Sequence, residues 1–248
     1  MLHLLPLPGS PRFGGSLEVI RSAVLSDAEA LVAGGVHGLL LENFGDAPFY
    51  PARVPQYVVA QMTALACEIR RQFPPPLGIN VLRNDGCAAL AVAHAAGAQF
   101  IRVNVLCGAR VADQGLIQGV AHDLLRERSV LGADVKIFAD VNVKHSAPVA
   151  ERPLADEVAD TLHRGLADAI IVSGSATGQP TDLAHVRAVK QAAIAAPVFV
   201  GSGVTADSIG RYLPFCDGFI IGSAFKREGR AEEPVEVERV KAIVGPVP

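Results

Sequence analysis

The sequence has no tryptophan and few aromatic or charged residues for its length. Of its 248 residues, 5% are aromatic and 19% are charged, and the formal net charge is −3. This near-neutral balance supplies no basic field that would draw the chain onto nucleic acid or an acidic membrane. Half of the residues are hydrophobic, which is too large a share for a disordered chain and enough for a substantial core.

Cysteine is scarce, and its spacing carries no metal or disulfide signature. The four cysteines form no CxxC pair and do not cluster with histidine: Cys67, Cys87, Cys107 and Cys216. Such spacing indicates neither a zinc site nor a disulfide framework. We therefore expect buried free thiols in a reducing compartment, and a cytoplasmic protein.

Long hydrophobic runs are also missing. The mean hydropathy is +0.33, yet every window of about 18 residues contains polar interruptions. The most apolar stretch, 88–106, includes Arg102 and Asn104. Residues 1–15 have no basic region, and prolines break their apolar run, so we predict neither a signal peptide nor an integral membrane segment. The hydrophobicity instead predicts parallel strands that are buried on both faces.

Short apolar runs alternate with helical patterns along the whole chain. The predicted strands cover 2–5, 38–41, 77–82, 100–105, 136–143, 169–172, 198–200 and 219–221. The predicted helices cover 17–33, 54–72, 87–96, 114–131, 154–164, 183–195, 208–213 and 234–244. Eight strand–helix units in this length predict an α/β protein with a single (β/α)₈ TIM barrel domain over residues 1–248. A doubly wound open sheet shows the same alternation and is the competing fold.

Polar residues at the ends of the predicted strands favour the barrel. They are Glu42, Asn43, Asn80, Asn104, Asp140, Asn142, Ser173, Ser202 and Ser223. In a barrel all eight carboxyl ends surround one pocket, whereas an open sheet needs such residues only where the strand order reverses. Several long loops follow these ends, and the loop 173–182 offers Thr177 as a further polar side chain.

Glycine-rich turns after the seventh and eighth strands predict a phosphate-binding cup. The segment 198–213 contains Gly201, Ser202 and Gly203, and the segment 216–226 contains Gly222 and Ser223. Glycine allows backbone N–H groups to approach an anion closely, and this end of a barrel commonly holds phosphate. The alternative is a pair of tight turns that bind no ligand. Two further segments are candidates for the same anion site: Ser173 with Gly174, and Arg110.

The fifth strand carries the candidate catalytic charges. Period-two alternation places Asp140, Asn142 and Lys144 on its inward face. A carboxylate and an amine on that face can pair, and the carboxylate then holds the lysine charged as an acid or an electrostatic clamp. Burial would instead lower the pKa of the amine towards Schiff-base chemistry. A structural salt bridge that fills the barrel is the competing interpretation.

Other inward residues extend this candidate catalytic set. They are Glu42, Asn80 and Asn104. Glu42 and Asp140 could form an acid/base pair or bind a divalent ion such as Mg²⁺. The sequence has no HxH motif and no carboxylate cluster, so no cofactor or protein-bound metal is predicted. His145 could carry protons or be simply solvated, and His3 could join the site or make a core hydrogen bond.

A family resemblance covers nearly the whole chain. Seven segments resemble the BtpA family: HLLPLPGSPR (3–12), ENFGDAPF (42–49), GINVLRND (78–85), RVNVLCGARVADQGLI (102–117), ADVNVKHS (139–146), SGSATGQPTD (173–182) and GSGVTADSI (201–209). The resemblance implies the fold of phosphate-binding barrels, and the family name associates it with photosystem I biogenesis and the assembly of membrane complexes. Asn142 departs from the aspartate expected in many members, which argues against a charge-dependent role there.

Two functions of different classes follow. The first is an enzyme for a small phosphorylated metabolite, either a sugar phosphate or a nucleotide-derived compound, with isomerase or lyase chemistry. The second is a non-catalytic biogenesis factor for photosystem I or another membrane complex. Hydrolysis of nucleoside phosphates is a minor option, because no GxxxxGK[ST] loop occurs. A homo-oligomer is expected because many barrels of this kind associate.

Overall fold

The computed structural model describes residues 1–174 and 178–245. Numbered in chain order, its strands are β1 (Leu2–His3), β2 (Leu39–Glu42), β3 (Leu77–Asn80), β4 (Phe100–Val103), β5 (Ala109–Ala112), β6 (Gly115–Gln118), β7 (Lys136–Val141), β8 (Ser146–Pro148), β9 (Ala169–Val172), β10 (Val198–Val200) and β11 (Gly218–Phe219). Its α-helices are α1 (Leu17–Ala33), α2 (Gln56–Gln72), α3 (Gly86–Ala96), α4 (Ala121–Leu131), α5 (Leu154–Ala159), α6 (Leu183–Ala193), α7 (Ile209–Tyr212) and α8 (Val237–Val244). A π-helical turn, Asp160–Arg164, extends α5.

Eight of the strands form one curled parallel sheet. Its order is β1-β2-β3-β4-β7-β9-β10-β11, so each strand pairs with the next one of the sheet along the chain. A doubly wound sheet would reverse this order at a switch point. At the two ends of the sheet the Met1 amino group donates a hydrogen bond to the Ile221 carbonyl oxygen at 2.8 Å. The predicted (β/α)₈ fold is confirmed.

Aromatic side chains line the amino-terminal half of the barrel. The rings of Phe100 and Phe138 stack with their centroids 4.7 Å apart, and Phe199 lies 5.0 Å from Phe138. Gly78 and Gly218 make room, because a Cβ at either position would collide with a phenylalanine ring. The inward residues in this half are apolar, and the polar inward residues lie at the carboxyl ends of the strands.

A small antiparallel sheet lies outside the barrel and was not predicted. It has the order β6-β5-β8, with Val111 opposite both Leu116 and Ala147. The helix predicted over 114–131 was therefore wrong at its start, because residues 115–118 pair with β5 and α4 begins only at Ala121. The fifth barrel strand likewise ends at Val141 rather than at residue 143.

The structure also tests the expectations for the cysteine thiols and for membrane-spanning helices. All four cysteines are free, and each is half-buried rather than buried. Within residues 1–174 and 178–245, no helix combines the length and apolarity needed to cross a bilayer.

Candidate active site

A cavity of about 520 Å³ opens at the carboxyl ends of the barrel strands. Seven of the predicted site residues line it: Glu42, Lys144, Gly201, Ser202, Gly203, Gly222 and Ser223. Met1, His3 and Arg102 are among the other residues that line the cavity. The strand order brings these residues together from β1, β2, β4 and the loops after β7, β10 and β11.

Asp140 lies beneath the cavity and is bound on every side. Its two carboxylate oxygens accept hydrogen bonds from Arg102 Nε at 2.9 Å and Nη2 at 2.7 Å. Asn104 Nδ2 donates at 2.9 Å and Ser173 Oγ at 3.4 Å. The side chain of Asp140 is 0% exposed. The carboxylate thus pairs with Arg102, and its geometry is that of a positioning group.

Arg102 is the functional side chain that single-strand reasoning did not select. Burial alone would lower the pKa of its guanidinium, but the charge and hydrogen bonds of Asp140 raise that pKa above the ordinary value. Nη1 has no acceptor among the described residues, while Nε and Nη2 are bound to Asp140. Arg102 therefore offers the cavity a fixed hydrogen-bond donor, Nη1. Arg102 shares the inward face of the fourth predicted strand with Asn104, two positions later, and this parity was the sequence feature that could have identified it.

Glu42 is held by the neighbouring strand. Asn80 Nδ2 donates to Glu42 Oε2, and the two residues are register partners across β2 and β3. The second carboxylate oxygen, Oε1, lies 4.0 Å from His3 Nε2. Glu42 is thus a buried carboxylate with one oxygen committed and the other at the cavity wall.

Lys144 carries the free amine of the site. It lies just after β7 and is half-buried, and its backbone carbonyl accepts a hydrogen bond from Arg83 Nη2 at 2.7 Å. Burial and the charge of Arg102 lower the pKa of Lys144, although Glu42 and Asp140 act in the opposite direction. Within the part of the chain that the structure describes, no acceptor or ion pair engages its ammonium group. A poised amine of this kind suits proton transfer or nucleophilic attack.

The two glycine turns form the opposite wall. A Cβ on Gly201 would lie 2.7 Å from Ile171 Cγ2, and one on Gly203 would collide with the backbone of Gln179. Gly203 also has φ of +65°, which disfavours any side chain. Four backbone N–H groups in these turns find no acceptor in residues 1–174 and 178–245: Gly203, Val204, Ser223 and Ala224. Small residues and open donors are the features that an anion site needs.

Three predicted anion ligands lie outside the cavity wall: Ser173, Gly174 and Arg110. Ser173 donates to Asp140, and Gly174 packs against the carbonyl oxygens of Gln179 and Pro180. Thr177 lies outside the residues that the structure describes.

The third of these ligands, Arg110, belongs to the small sheet. Its Nε donates to Ser146 Oγ at 2.7 Å and its Nη2 to Asn142 Oδ1 at 2.8 Å, while Nη1 lies 3.6 Å from Glu157 Oε1. With three partners it anchors the loop that carries Lys144. An uncharged Asn142 serves this contact as an acceptor.

His3 is a cavity residue with a defined tautomer. Its ring stacks on Phe44 with centroids 4.3 Å apart, and Nδ1 lies 3.2 Å from the Ala231 carbonyl oxygen. Burial lowers the pKa of His3 well below its ordinary value, and nearby positive charges add to this effect. The expected core hydrogen bond exists, and the ring also lines the cavity. His145 lies at the surface, and partial desolvation of its ring together with the charge of Lys144 lowers its pKa.

The described residues contain no group of three or more His, Cys, Asp or Glu side chains that could hold a metal ion. Glu42 offers the cavity one carboxylate oxygen that accepts no hydrogen bond from residues 1–174 or 178–245. Of the two carboxylates considered for a divalent ion such as Mg²⁺, Asp140 is committed to Arg102 and Asn104, and Glu42 alone reaches the cavity.

Sequence comparison finds relatives along the full chain. A profile described as the BtpA family matches residues 1–247. The photosystem I biogenesis protein BtpA of Synechocystis sp. is 48% identical over 244 residues, covering 98% of this chain and 85% of that protein. An uncharacterized protein of Thermococcus kodakarensis is 44% identical, with 98% and 92% covered. An uncharacterized mitochondrial protein of Caenorhabditis elegans is 33% identical, with 97% and 88% covered.

Solved structures with this fold are distant in sequence. A mutant tryptophan synthase α-subunit from Pyrococcus furiosus has a TM-score of 0.59 at 16% identity, covering 89% of this chain and 91% of that one. N-(5'-phosphoribosyl)anthranilate isomerase from Pyrococcus furiosus has a TM-score of 0.55 at 15% identity, with 88% and 92% covered. KGPDC from Streptococcus mutans has a TM-score of 0.53 at 15% identity, with 88% and 89% covered. At these identities the likeness establishes the TIM-barrel fold alone.

Proposed function

The chain belongs to the BtpA family, and from this premise we propose that it is an enzyme acting on a small phosphorylated metabolite at the carboxyl ends of its barrel strands. One observation carries the proposal. A single cavity joins open backbone donors of two glycine turns to the charged side chains of Arg102 and Lys144. Such a wall is complementary to a phosphate group, and the polar floor supplies groups that move protons.

The charge balance of the cavity supports an anionic ligand. Arg102 is neutralised by Asp140, but Lys144 has no ion-pair partner in the described ranges 1–174 and 178–245. Arg83 adds another buried guanidinium whose pKa is lowered by burial and which also influences Lys144. Desolvated positive charge is costly unless an anion compensates it. A bound phosphate would supply that compensation together with the amides of the glycine turns.

The side chains of Lys144 and Glu42 in the cavity favour isomerase or lyase activity. Because the pKa of Lys144 is lowered, a larger fraction of its amine is neutral and able to accept a proton or attack a carbonyl carbon. Glu42 supplies a carboxylate at the same cavity. Proton removal by one group and return by the other would move a double bond or release a leaving group. The name of one fold relative, a phosphoribosylanthranilate isomerase, describes chemistry of this kind on a phosphorylated compound.

A thermal-shift screen tests the proposal. The panel holds inorganic phosphate, sugar phosphates, nucleotides and their unphosphorylated counterparts, each with and without Mg²⁺. A ligand at about 100 times its Kd adds roughly 2.7 kcal/mol, which raises the Tm by several degrees. We expect a rise with at least one phosphorylated compound and none with its dephosphorylated form. A flat response over the panel would contradict the proposal. Turnover of a nucleotide would favour the hydrolase option instead.

A non-catalytic assembly role is the second candidate. The Synechocystis relative is named for photosystem I biogenesis. The small sheet exposes two apolar side chains, Val111 and Leu116, and Val149 directly after β8 is exposed as well. Animals assemble no photosystem, so the match in Caenorhabditis elegans indicates that this role is not common to the family. Substituting Val111 and Leu116 with serine should abolish a docking role and leave ligand binding at the cavity unchanged. Unimpaired assembly in cells carrying the double variant would count against this candidate.

A further inference from the structure

His3 presents an unprotonated nitrogen to the cavity. Its Nδ1 lies 3.2 Å from the carbonyl oxygen of Ala231. A carbonyl oxygen can only accept a hydrogen bond, so Nδ1 must carry the ring proton in the neutral imidazole. Nε2 is then a bare acceptor. Stacking of the ring on Phe44, with centroids 4.3 Å apart, fixes its direction.

A second acceptor faces this nitrogen. Glu42 Oε1 lies 4.0 Å from His3 Nε2, while Oε2 is taken by Asn80. No donor from residues 1–174 or 178–245 reaches Nε2 or Oε1, although both residues line the cavity. At 4.0 Å two acceptors gain nothing from each other. Each of the two atoms can accept a hydrogen bond from a donor group of a molecule bound in the cavity.

The acceptors adjoin the glycine turn that would hold phosphate. A Cβ on Gly222 would lie 2.9 Å from His3 Cε1 and 3.1 Å from Nε2. The anion wall and the acceptor pair therefore belong to one cavity, and a single small ligand can reach both. Its phosphate would face the donors of the wall, and its donors would face His3 and Glu42.

We propose that His3 Nε2 and Glu42 Oε1 bind a vicinal diol, so that the substrate class is a sugar phosphate or ribonucleotide with two adjacent hydroxyl groups. Each hydroxyl donates one hydrogen bond, one to the imidazole nitrogen and one to the carboxylate. This inference rests on the proposed function, because it takes the phosphate wall as the other half of the same site. It narrows the ligand beyond the presence of phosphate.

Matched ligand pairs test the diol. We would measure Kd by calorimetry for ribose 5-phosphate against 2-deoxyribose 5-phosphate, and for adenosine 5'-monophosphate against its 2'-deoxy form. The two members of each pair differ only in the hydroxyl that completes the diol. In the proposed pose the hydroxyl that the deoxy ligand lacks donates to His3 Nε2 and its neighbour donates to Glu42 Oε1, so wild-type protein should bind the diol member of at least one pair about tenfold more tightly.

Two variants assign the preference to His3. His3→Asn keeps a donor near the Nδ1 position for Ala231 and removes the Nε2 acceptor, so the diol preference should fall to within about twofold. His122→Asn, at an exposed histidine of α4, should keep the full preference. If His3→Asn does not fold, the comparison of ligand pairs on wild-type protein still decides the proposal.

The outcomes separate the two proposals. Equal binding of both members in every pair, with phosphate-dependent binding intact, would overturn the diol site and leave the proposed function standing. A diol preference that survives in a folded His3→Asn protein would also overturn it. Failure of inorganic phosphate and of every phosphorylated probe to bind would overturn the proposed function and the diol site together.

Discussion

The guanidinium of Arg102 is bound to the carboxylate of Asp140 by two parallel hydrogen bonds, from Nε at 2.9 Å and from Nη2 at 2.7 Å. The side chains are 3% and 0% exposed. Bidentate geometry of this kind fixes the plane of the arginine as well as its position. Asp140 therefore acts through Arg102. The two hydrogen bonds to Asp140, on the neighbouring strand β7, fix the direction of the remaining donor group of Arg102, Nη1.

Removing the charge of Asp140 should destabilise the fold. Asp140→Asn leaves the guanidinium buried without a counter-ion, which costs about 3 kcal/mol or more. Urea denaturation measures the loss. Asp134→Asn, which breaks an exposed pair with Lys136, is the matched control and should leave the midpoint unchanged. The double variant Asp140→Leu with Arg102→Met should recover part of the lost stability, and an Asp140→Asn protein as stable as wild type would contradict the buried pair.

Lys144 should be needed for turnover and not for folding. Lys144→Met removes the amine, and we expect turnover of the compound identified by the ligand screen to fall by at least about 100-fold. Lys144→Arg keeps the positive charge but cannot give up its proton at working pH, so it should bind ligand and also fail to turn over. Steady-state kinetics on both variants, with Tm as the folding control, decide the point. Full activity in either variant would refute a proton-transfer or nucleophilic role.

The lowered pKa of Lys144 leads to a prediction for the pH dependence of kcat/KM. Because the pKa of the amine is lowered, its neutral form appears below the ordinary lysine range. If Lys144 acts as a base, kcat/KM should rise with pH through this lowered pKa and then level off. The rising limb of wild-type protein should lie below pH 10.5, the ordinary value for lysine. A flat profile below that value would contradict a basic role.

Charge at the glycine turn should control phosphate affinity. Ser223 begins the 3₁₀ turn 223–225 and is half-buried at the cavity. Ser223→Asp places a carboxylate where phosphate is expected, so Kd for a phosphorylated ligand should rise about tenfold or more. Ser223→Asn has the same shape without the charge and should change Kd by less than about threefold. Calorimetry on the pair gives the answer, and equal affinities in the two variants would place the phosphate elsewhere.

Stability should fall in mild acid because of His3. Its pKa is lowered on folding, so the unfolded chain binds the proton more readily as pH drops below 6.5, the ordinary value. Stability contributed by the neutral ring is present above pH 6.5 and is lost as pH falls, by up to about 1.4 kcal/mol per pH unit. Urea denaturation at pH 7.5, 6.5 and 5.5 measures the slope. His3→Asn should show a shallower slope, and identical slopes would contradict a buried neutral His3.

Much of the architecture was accessible from the sequence. Continuous apolar runs predicted the buried strands, and period-two parity placed Glu42 and Asn80 inside the barrel, where the structure makes them hydrogen-bonded neighbours. Parity works there because the two strands are adjacent and in register. Parity assigns each residue to one face of its strand, but it does not identify the residue on another strand with which it makes contact.

Partner choice across strands was the part that parity could not give. Parity placed Asp140 and Lys144 on the same strand face, which suggested that they pair. The strand β7 ends at Val141, before Lys144, and Arg102 on β4 reaches Asp140 from the side. Arg110 looked free for an anion, yet Ser146 and Asn142 accept its donors after the small sheet forms. That sheet depends on pairing between Ala112 and Ser146, far apart in the chain and in segments of loop-like composition.

A crystal structure with a phosphorylated ligand from the screen tests the central claim most directly. The account predicts that the phosphate lies in the cavity between the turns 201–204 and 222–224, within hydrogen-bond distance of the backbone N–H groups of Gly203 and Ser223. The rest of the ligand should extend towards Lys144 and Glu42. A phosphate bound at any other place, with these N–H groups facing only solvent, would contradict the account.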